Sequence, residues 1–570
     1  MRPADLLKLA GLAGALILGA SMLAALVPAG RSPAIPNTPG RSELVIGMRQ
    51  APPSLNPIQG SSGARNYLGG LALRPLSGAD KNGRPSCYLC ETLPTLENGG
   101  ARIVDLADGR QGMEVTFTLK PGLSWADGEP VTSRDMVFSW RLARDPEIGA
   151  ANAETLRHIA DVTIVDQRTF TLHLDQIDYG YNRQVTFWVL PAHIEAPILA
   201  GLAHRGDYFG RSAYTTDPTN PGLWIGPYRL IGYEPGRSAR YERTPAWPGP
   251  PAHIPRITVR MIENTAVLEA DFLTGTVDYI AGELGLTVDQ GLELKARRAY
   301  SFDFAMQSSL TYEHVDMNLG NPLLADRRIR RALLLAIDRQ TITRRLFDGL
   351  LPVADGFVAP GDRGYDPDIS KYPYDPAAAG KLLAEAGFLP GPDGVRVDGK
   401  ERRLAFTLAT TTGHRVRELV EQELQAKWRA VGVEITLAND SATALLGDRL
   451  PHGAYDLALY AWTNPPEYPP TYMLVSASIP STANDFSGGN YPRFVDADTD
   501  RLNDALVREL DPAKRMPIWA RLQEIYAREL PALPLFFEST VFVIPTWLKG
   551  VDPAGHVGDT TLWVEEWRAD

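Results

Sequence analysis

At 570 residues the chain exceeds what one hydrophobic core encloses, which implies at least two lobes. With 44% hydrophobic and 22% charged residues it is neither disordered nor fibrous. A net charge of −11 excludes a broad nucleic-acid surface, which needs clustered cations. Arg327, Arg328, Arg330 and Arg331 do cluster, but their acidic and apolar neighbours at helical spacing read as a solvated helix face.

In chain order, Arg2 and Lys8 precede an uncharged stretch from Leu9 to Val27, and small residues follow from Pro28 to Gly30. This is the pattern of a secretory signal peptide over 1–29, and its length leaves an uncleaved membrane anchor open. No cysteine lies near it, so a lipid-modified cysteine is excluded. Either way the body of the chain is expected to be exported, to the periplasm or tethered at the inner membrane. Residues 30–42 read as a linker, and Leu44–Gly47 opens the fold as a buried strand.

Cys87 and Cys90 are the only cysteines. In an oxidising compartment a pair this close is expected to form a structural disulfide. A redox motif would need a strand-to-helix context that is not visible, and zinc would need two further ligands. Neither a metal nor a cofactor is expected.

Alternation at Val115, Phe117, Leu119 and at Phe170, Leu172, Leu174 predicts two half-buried strands. Between them, Asp127-Gly128 is a turn, and Thr132 or Ser133 can cap a helix carrying Val137, Phe138 and Trp140. Ile257, Val259 and Met261 alternate as a further strand. Asp326 caps a helix with Ile329, Leu333 and Ile337 on one face, and Asp338 caps the next, which stops at Gly349. Asp375-Pro376 and Asp511-Pro512 each place an acceptor at N-cap and proline at N1. Val416, Leu419, Val420, Leu424 and Trp428 form one amphipathic stripe, followed by a strand at 433–437. Interleaved strands and helices argue for α/β lobes.

Catalytic fingerprints are missing: no Gly-x-Ser-x-Gly, no His-Glu-x-x-His, no dinucleotide glycine pattern after a strand. Gly394–Lys400 imitates a phosphate loop, but Glu401 stands where Ser or Thr must hold magnesium, and Asp398-Gly399 reads better as a hairpin turn.

Six blocks resemble, in order, the family 5 extracytoplasmic solute-binding proteins. Ser124–Trp140 is similar to the "W-x-D-G-x-P-x-T-A-x-D-x-x-x-x-W" signature, with Ser133 in place of alanine. Gly226-Pro227-Tyr228 and Tyr241-Glu242-Arg243 resemble its "G-P-Y" strand block, and Gly275 to Asp278 its "G-x-V-D" turn. Asn318 with Arg327–Arg339, Tyr374–Gly387 and Pro531–Leu535 complete the match. The resemblance implies a two-lobed α/β periplasmic binding protein (type II, cluster C-like) with an extra subdomain in the larger lobe and a hinge. Its expected boundaries are lobe I over 43–310 with a subdomain inserted at about 60–190, lobe II over 311–530, and a return to lobe I over 531–570.

The function implied is capture of a peptide or peptide-like solute and its delivery to an ABC permease and ATPase, by a monomer without catalytic activity and without nucleic acid. A sugar, opine or metal chelate is the alternative cargo; an exported hydrolase or a signalling protein is the alternative of another class. In peptide-binding relatives a strand end pairs with the peptide main chain, and an aspartate three residues after a tryptophan holds its ammonium group. The implied ligand-binding residues here are Ala461, Trp462, Thr463, Asn464 and Glu467. Pro465 occupies the aspartate's place, and Glu467 is the nearest charged substitute.

Overall fold

The computed structural model describes residues 41–570 apart from 61, 154–155, 185–186, 299–301, 465, 485 and 554–558. The expected export segment 1–29, all but the last two residues of the expected linker 30–42, and Pro465 lie outside the described residues.

Ten strands form the main sheet: β1 (Glu43–Met48), β2 (Tyr228–Glu234), β3 (Ser238–Arg243), β4 (Arg256–Met261), β5 (Tyr279–Ile280), β6 (Phe302–Met317), β7 (Ala405–Ala409), β8 (Glu434–Leu437), β9 (Leu457–Thr463) and β10 (Ala532–Pro545). Their order across the sheet is β8-β7-β9-β6-β10-β5-β1-β4-β3-β2. The sheet has two halves, each with a parallel core: β1 lies between β4 and β5, and β7 lies between β8 and β9. Parallel neighbours need crossovers, and helices such as Thr265–Thr274 and Arg415–Ala430 supply them.

Only β6 and β10 run through both halves. They pair antiparallel from Phe302↔Pro545 to Asp316↔Ala532, but the register jumps between Ser308↔Ser539 and Tyr312↔Phe537. Ser309, Leu310 and Thr311 therefore stand against the single residue Glu538. A bulge of this kind bends the bulged strand and interrupts the ladder between the two halves of the sheet. A second, four-stranded antiparallel sheet covers Ala101–Asp105, Gln111–Thr118, Thr169–Leu174 and Ile159–Ile164, and builds the extra subdomain.

The caps read from the sequence form. Thr132 and Asp135 make a reciprocal capping box on helix Ser133–Arg144, and Asp326, Asp338, Asp375 and Asp511 each accept a backbone N–H at the start of their helices. Val420, Leu424 and Trp428 bury one face of helix Arg415–Ala430 against Leu333, Leu408 and Leu457. The Trp428 indole N–H, which would be costly to leave unmet there, donates to the Leu333 carbonyl at 2.9 Å. Leu419 of the same predicted stripe stays exposed.

Residues 396–403 form the expected turn: the Asp398 N–H donates to the Arg402 carbonyl, and Glu401 takes a positive φ of 62°. The arginine cluster departs from its reading. Arg330 is buried, with its guanidinium on the Glu529, Leu324 and Ala325 carbonyls, and burial pulls its pKa down to about 10. It caps the last turn of helix Pro512–Glu529, a packing that a reading of its own helix alone does not reveal.

Candidate functional site

In open α/β sheets ligands sit beyond the carboxyl ends of parallel strands. The ends that matter here are Met48 on β1 in one half, and Ala409 on β7 and Thr463 on β9 in the other. The bulge residues on β6 and β10 lie between them in the sheet.

β9 pairs with β6 along its whole length, from Met317↔Leu457 to Thr311↔Thr463. With β7 it pairs only at Leu457 and Ala458, so among the described residues no strand covers its other edge from Tyr460 to Thr463. Ala461 and Trp462 are half-buried there and Thr463 is exposed, its hydroxyl 3.0 Å from that of Thr311. Trp462 is held by three rings: edge-on to Tyr460 and Tyr472, and stacked on Tyr491 at 5.9 Å. It lines a small recess of about 10 Å³ together with His314 and Asp316, where His314 Nε2 lies 3.3 Å from Asp316 Oδ1 and the Tyr460 hydroxyl donates to Asp316 Oδ2.

Asn464 belongs to a second recess, with Leu310, Phe357, Asp362 and Trp519. Its N–H donates to the Leu310 carbonyl at the bulge and its amide to the Phe357 carbonyl.

Glu467 is buried and already partnered. Its carboxylate accepts from Arg183 Nη2 at 2.8 Å and weakly from the Tyr179 hydroxyl at 3.5 Å. A positive φ of 54° turns its N–H onto Asp362 Oδ2 at 2.7 Å. Arg183 and Tyr179 come from the stretch that Ser77 and Pro94 tie to the first half of the chain: Ser77 Oγ donates to the Asn182 carbonyl, and the Asn182 amide to that of Pro94. Tyr179 also reaches helix Pro512–Glu529, where the Arg515 guanidinium stacks 3.5 Å above its ring. The sequence read Glu467 as a ligand residue; its carboxylate serves a bond between distant segments. Cys87 and Cys90 are disulfide-bonded, 5.2 Å apart at Cα.

Several cleft-side residues escaped sequence reasoning. Glu313 on β6 binds Arg417 with both oxygens, Nε at 2.9 and 3.2 Å and Nη2 at 2.7 Å. Arg417 sits in the first turn of its helix, where a cation opposes the macrodipole, and that misplaced charge was the available signal. Glu538 stands at the bulge beside this pair. Burial first, and then the facing Glu313, hold its carboxyl up at about 8, against the pull of Arg417. His414 caps the same helix through Nδ1, and is pushed down by burial and by the charges of Arg417 and Arg49. No group of three or more His, Cys, Asp or Glu placed to hold a metal occurs among the described residues.

Protein XP55 of Streptomyces lividans is 26% identical over 509 residues, covering 85% of this chain and 82% of that protein. The periplasmic oligopeptide-binding protein OppA of Salmonella typhimurium is 23% identical over 583 residues, with 97% of each chain covered. Among solved structures, the oligopeptide-binding protein of Thermus thermophilus complexed with a pentapeptide superposes with a TM-score of 0.75 at 26% identity. That superposition covers 93% of this chain and 97% of the other. The model for bacterial extracellular solute-binding proteins, family 5, matches residues 107–482, about two thirds of the sequence. With its two-lobed α/β fold, the chain belongs to the family 5 bacterial extracellular solute-binding proteins.

Proposed function

We propose that this protein is the extracytoplasmic receptor of an ABC importer, closing two lobes around a peptide or peptide-like solute and handing it to a permease and ATPase. The observation that carries this reading is the edge of β9 from Tyr460 to Thr463, which no described strand pairs, at the carboxyl end of that strand. An extended main chain can add to such an edge whatever its side chains are. On this reading lobe I takes in residues 43–310 and 531–570, lobe II residues 311–530, and the lobes turn on the bulge at Ser309–Thr311 and Glu538. The protein acts as a monomer in the periplasm, free or held at the inner membrane by its N-terminal segment, and catalyses no reaction. No helix among the described residues is long and apolar enough to cross a membrane.

Ala461–Thr463 supply main-chain pairing, Trp462 an aromatic wall, and Asn464 a lining group at the pivot. Glu467 contributes indirectly, by holding the lobes together through Arg183. Because that carboxylate is occupied, a second reading stands beside the first: a solute with no ammonium group to place, such as a non-peptide anion. Mass spectrometry of small molecules released from the purified protein tests both. Peptides are expected; a pool of sugars, opines or metal chelates rejects the peptide reading.

A further inference from the structure

Three arginines around the candidate site have partners of their own. Arg183 is bonded to Glu467, Arg417 to Glu313, and Arg515 to Tyr179 and backbone carbonyls. Arg49 directly follows β1, and its N–H donates to the Leu284 carbonyl, which fixes the backbone at the strand end. Its side chain is half-buried, and its Nε is sealed from solvent without an acceptor. Among the described residues its guanidinium makes no hydrogen bond or ion pair. A guanidinium does not escape this by losing its proton. Leaving a cation partly desolvated and unpaired is unfavourable, and such groups in native structures call for a partner. Burial lowers the Arg49 pKa and no neighbouring carboxylate raises it, while its charge is felt by His414 of the opposite half.

We infer that Arg49 is the cleft's counter-ion for a ligand carboxylate, so that the solute carries an anionic group facing the end of β1. The inference rests on the cleft reading above but not on the ligand being a peptide. The planar fork of arginine matches a carboxylate with two parallel N–H···O bonds. In a peptide that group is the C-terminal carboxylate or an acidic side chain.

The test uses the full-length protein and its Arg49→Gln and Arg49→Lys variants. Small molecules released from each are identified by mass spectrometry. Calorimetry then compares tetra-alanine, tetra-alanine amide, and the amide of Ala-Ala-Glu-Ala. Melting temperatures are measured without ligand. Because Arg49 has no internal partner, Arg49→Gln is expected to melt no lower than wild type. Molecules carrying a carboxylate or other anionic group, zwitterionic peptides included, are expected in the wild-type and Arg49→Lys pools and at least tenfold depleted in Arg49→Gln. Tetra-alanine binding at least tenfold tighter than its amide, with the gap closed in Arg49→Gln, assigns the C-terminus. Recovery of that affinity by the glutamate peptide amide assigns a side chain. An anionic non-peptide pool with no peptide binding sinks the peptide reading and supports Arg49. The inference is overturned by a lower melting temperature in Arg49→Gln, by a wild-type pool that is empty or whose molecules carry no carboxylate or other anionic group, or by probe affinities that Arg49→Gln leaves unchanged.

Discussion

The bond between Arg183 and Glu467 joins the first half of the chain to the second, and breaking it is expected to shift the balance between closed and open lobes. Both side chains are largely buried, at 14% and 9% exposure, so water screens them little. A charge-assisted hydrogen bond in such a place is worth about 1.5–3 kcal/mol. Glu467→Gln keeps an acceptor for Arg183 and loses the charge, so a loss of about 1–2 kcal/mol is expected, roughly five- to thirtyfold in the closure constant. Arg183→Ala costs more, about 3 kcal/mol, because it leaves the Glu467 carboxylate buried without its cation. Where the closed state is the minor one without ligand, affinity for any solute falls in the same proportion. Small-angle scattering with and without ligand reads compaction, and calorimetry reads affinity, for both single variants and the double. The cycle should return a coupling above about 1 kcal/mol. A coupling under about 0.5 kcal/mol, with unchanged compaction in both variants, refutes the assignment of this pair as a closing contact.

A binding peptide and its N-acetylated form should differ by less than about threefold in affinity, since Glu467 is engaged and Pro465 carries no charge. A loss of 2 kcal/mol or more on acetylation, roughly thirtyfold, would mean that an amino-terminal anchor exists. Glu538 titrates at about 8 in the fold against an ordinary value of 4.5, so between those pH values the folded state holds a proton that the unfolded chain has lost. Stability from this group is complete below pH 4.5 and falls as pH rises toward 8, by up to about 1.4 kcal/mol per pH unit. Glu538→Gln should flatten the melting-temperature profile between pH 5 and 8 in calorimetric scans, and an unaltered slope counts against the raised Glu538 pKa. For Cys87 and Cys90, alkylation without reductant followed by mass measurement should find neither thiol labelled in exported protein. Double labelling rejects the bond as the native state.

The α/β class, the helix starts and the family were legible in the sequence because they rest on local chemistry. Asp326, Asp338, Asp375 and Asp511 announce helices through one side chain reaching the next turn, and the blocks around Trp125, Gly226 and Tyr374 need only neighbours in sequence. The strand end Ala461–Thr463 was legible for the same reason, as an apolar run closing on polar residues.

Partnerships across the fold were not. Arg183 and Glu467 lie 284 residues apart, and Glu313 and Arg417 lie 104 apart. A charged residue gives no sign in sequence of whether it will meet water, a ligand or an opposite charge. That is why Glu467 read as a free carboxylate and Arg330 as a solvated cation. The pivot likewise depends on register: three residues of β6 oppose one of β10, a mismatch that exists only once the two strands are paired. Sequence determined which elements form, because capping and periodicity are satisfied within a few residues. Tertiary structure alone decided which charges are consumed by the protein and which, as at Arg49, are left for a ligand, because ion pairing is set by distances that the folded chain creates.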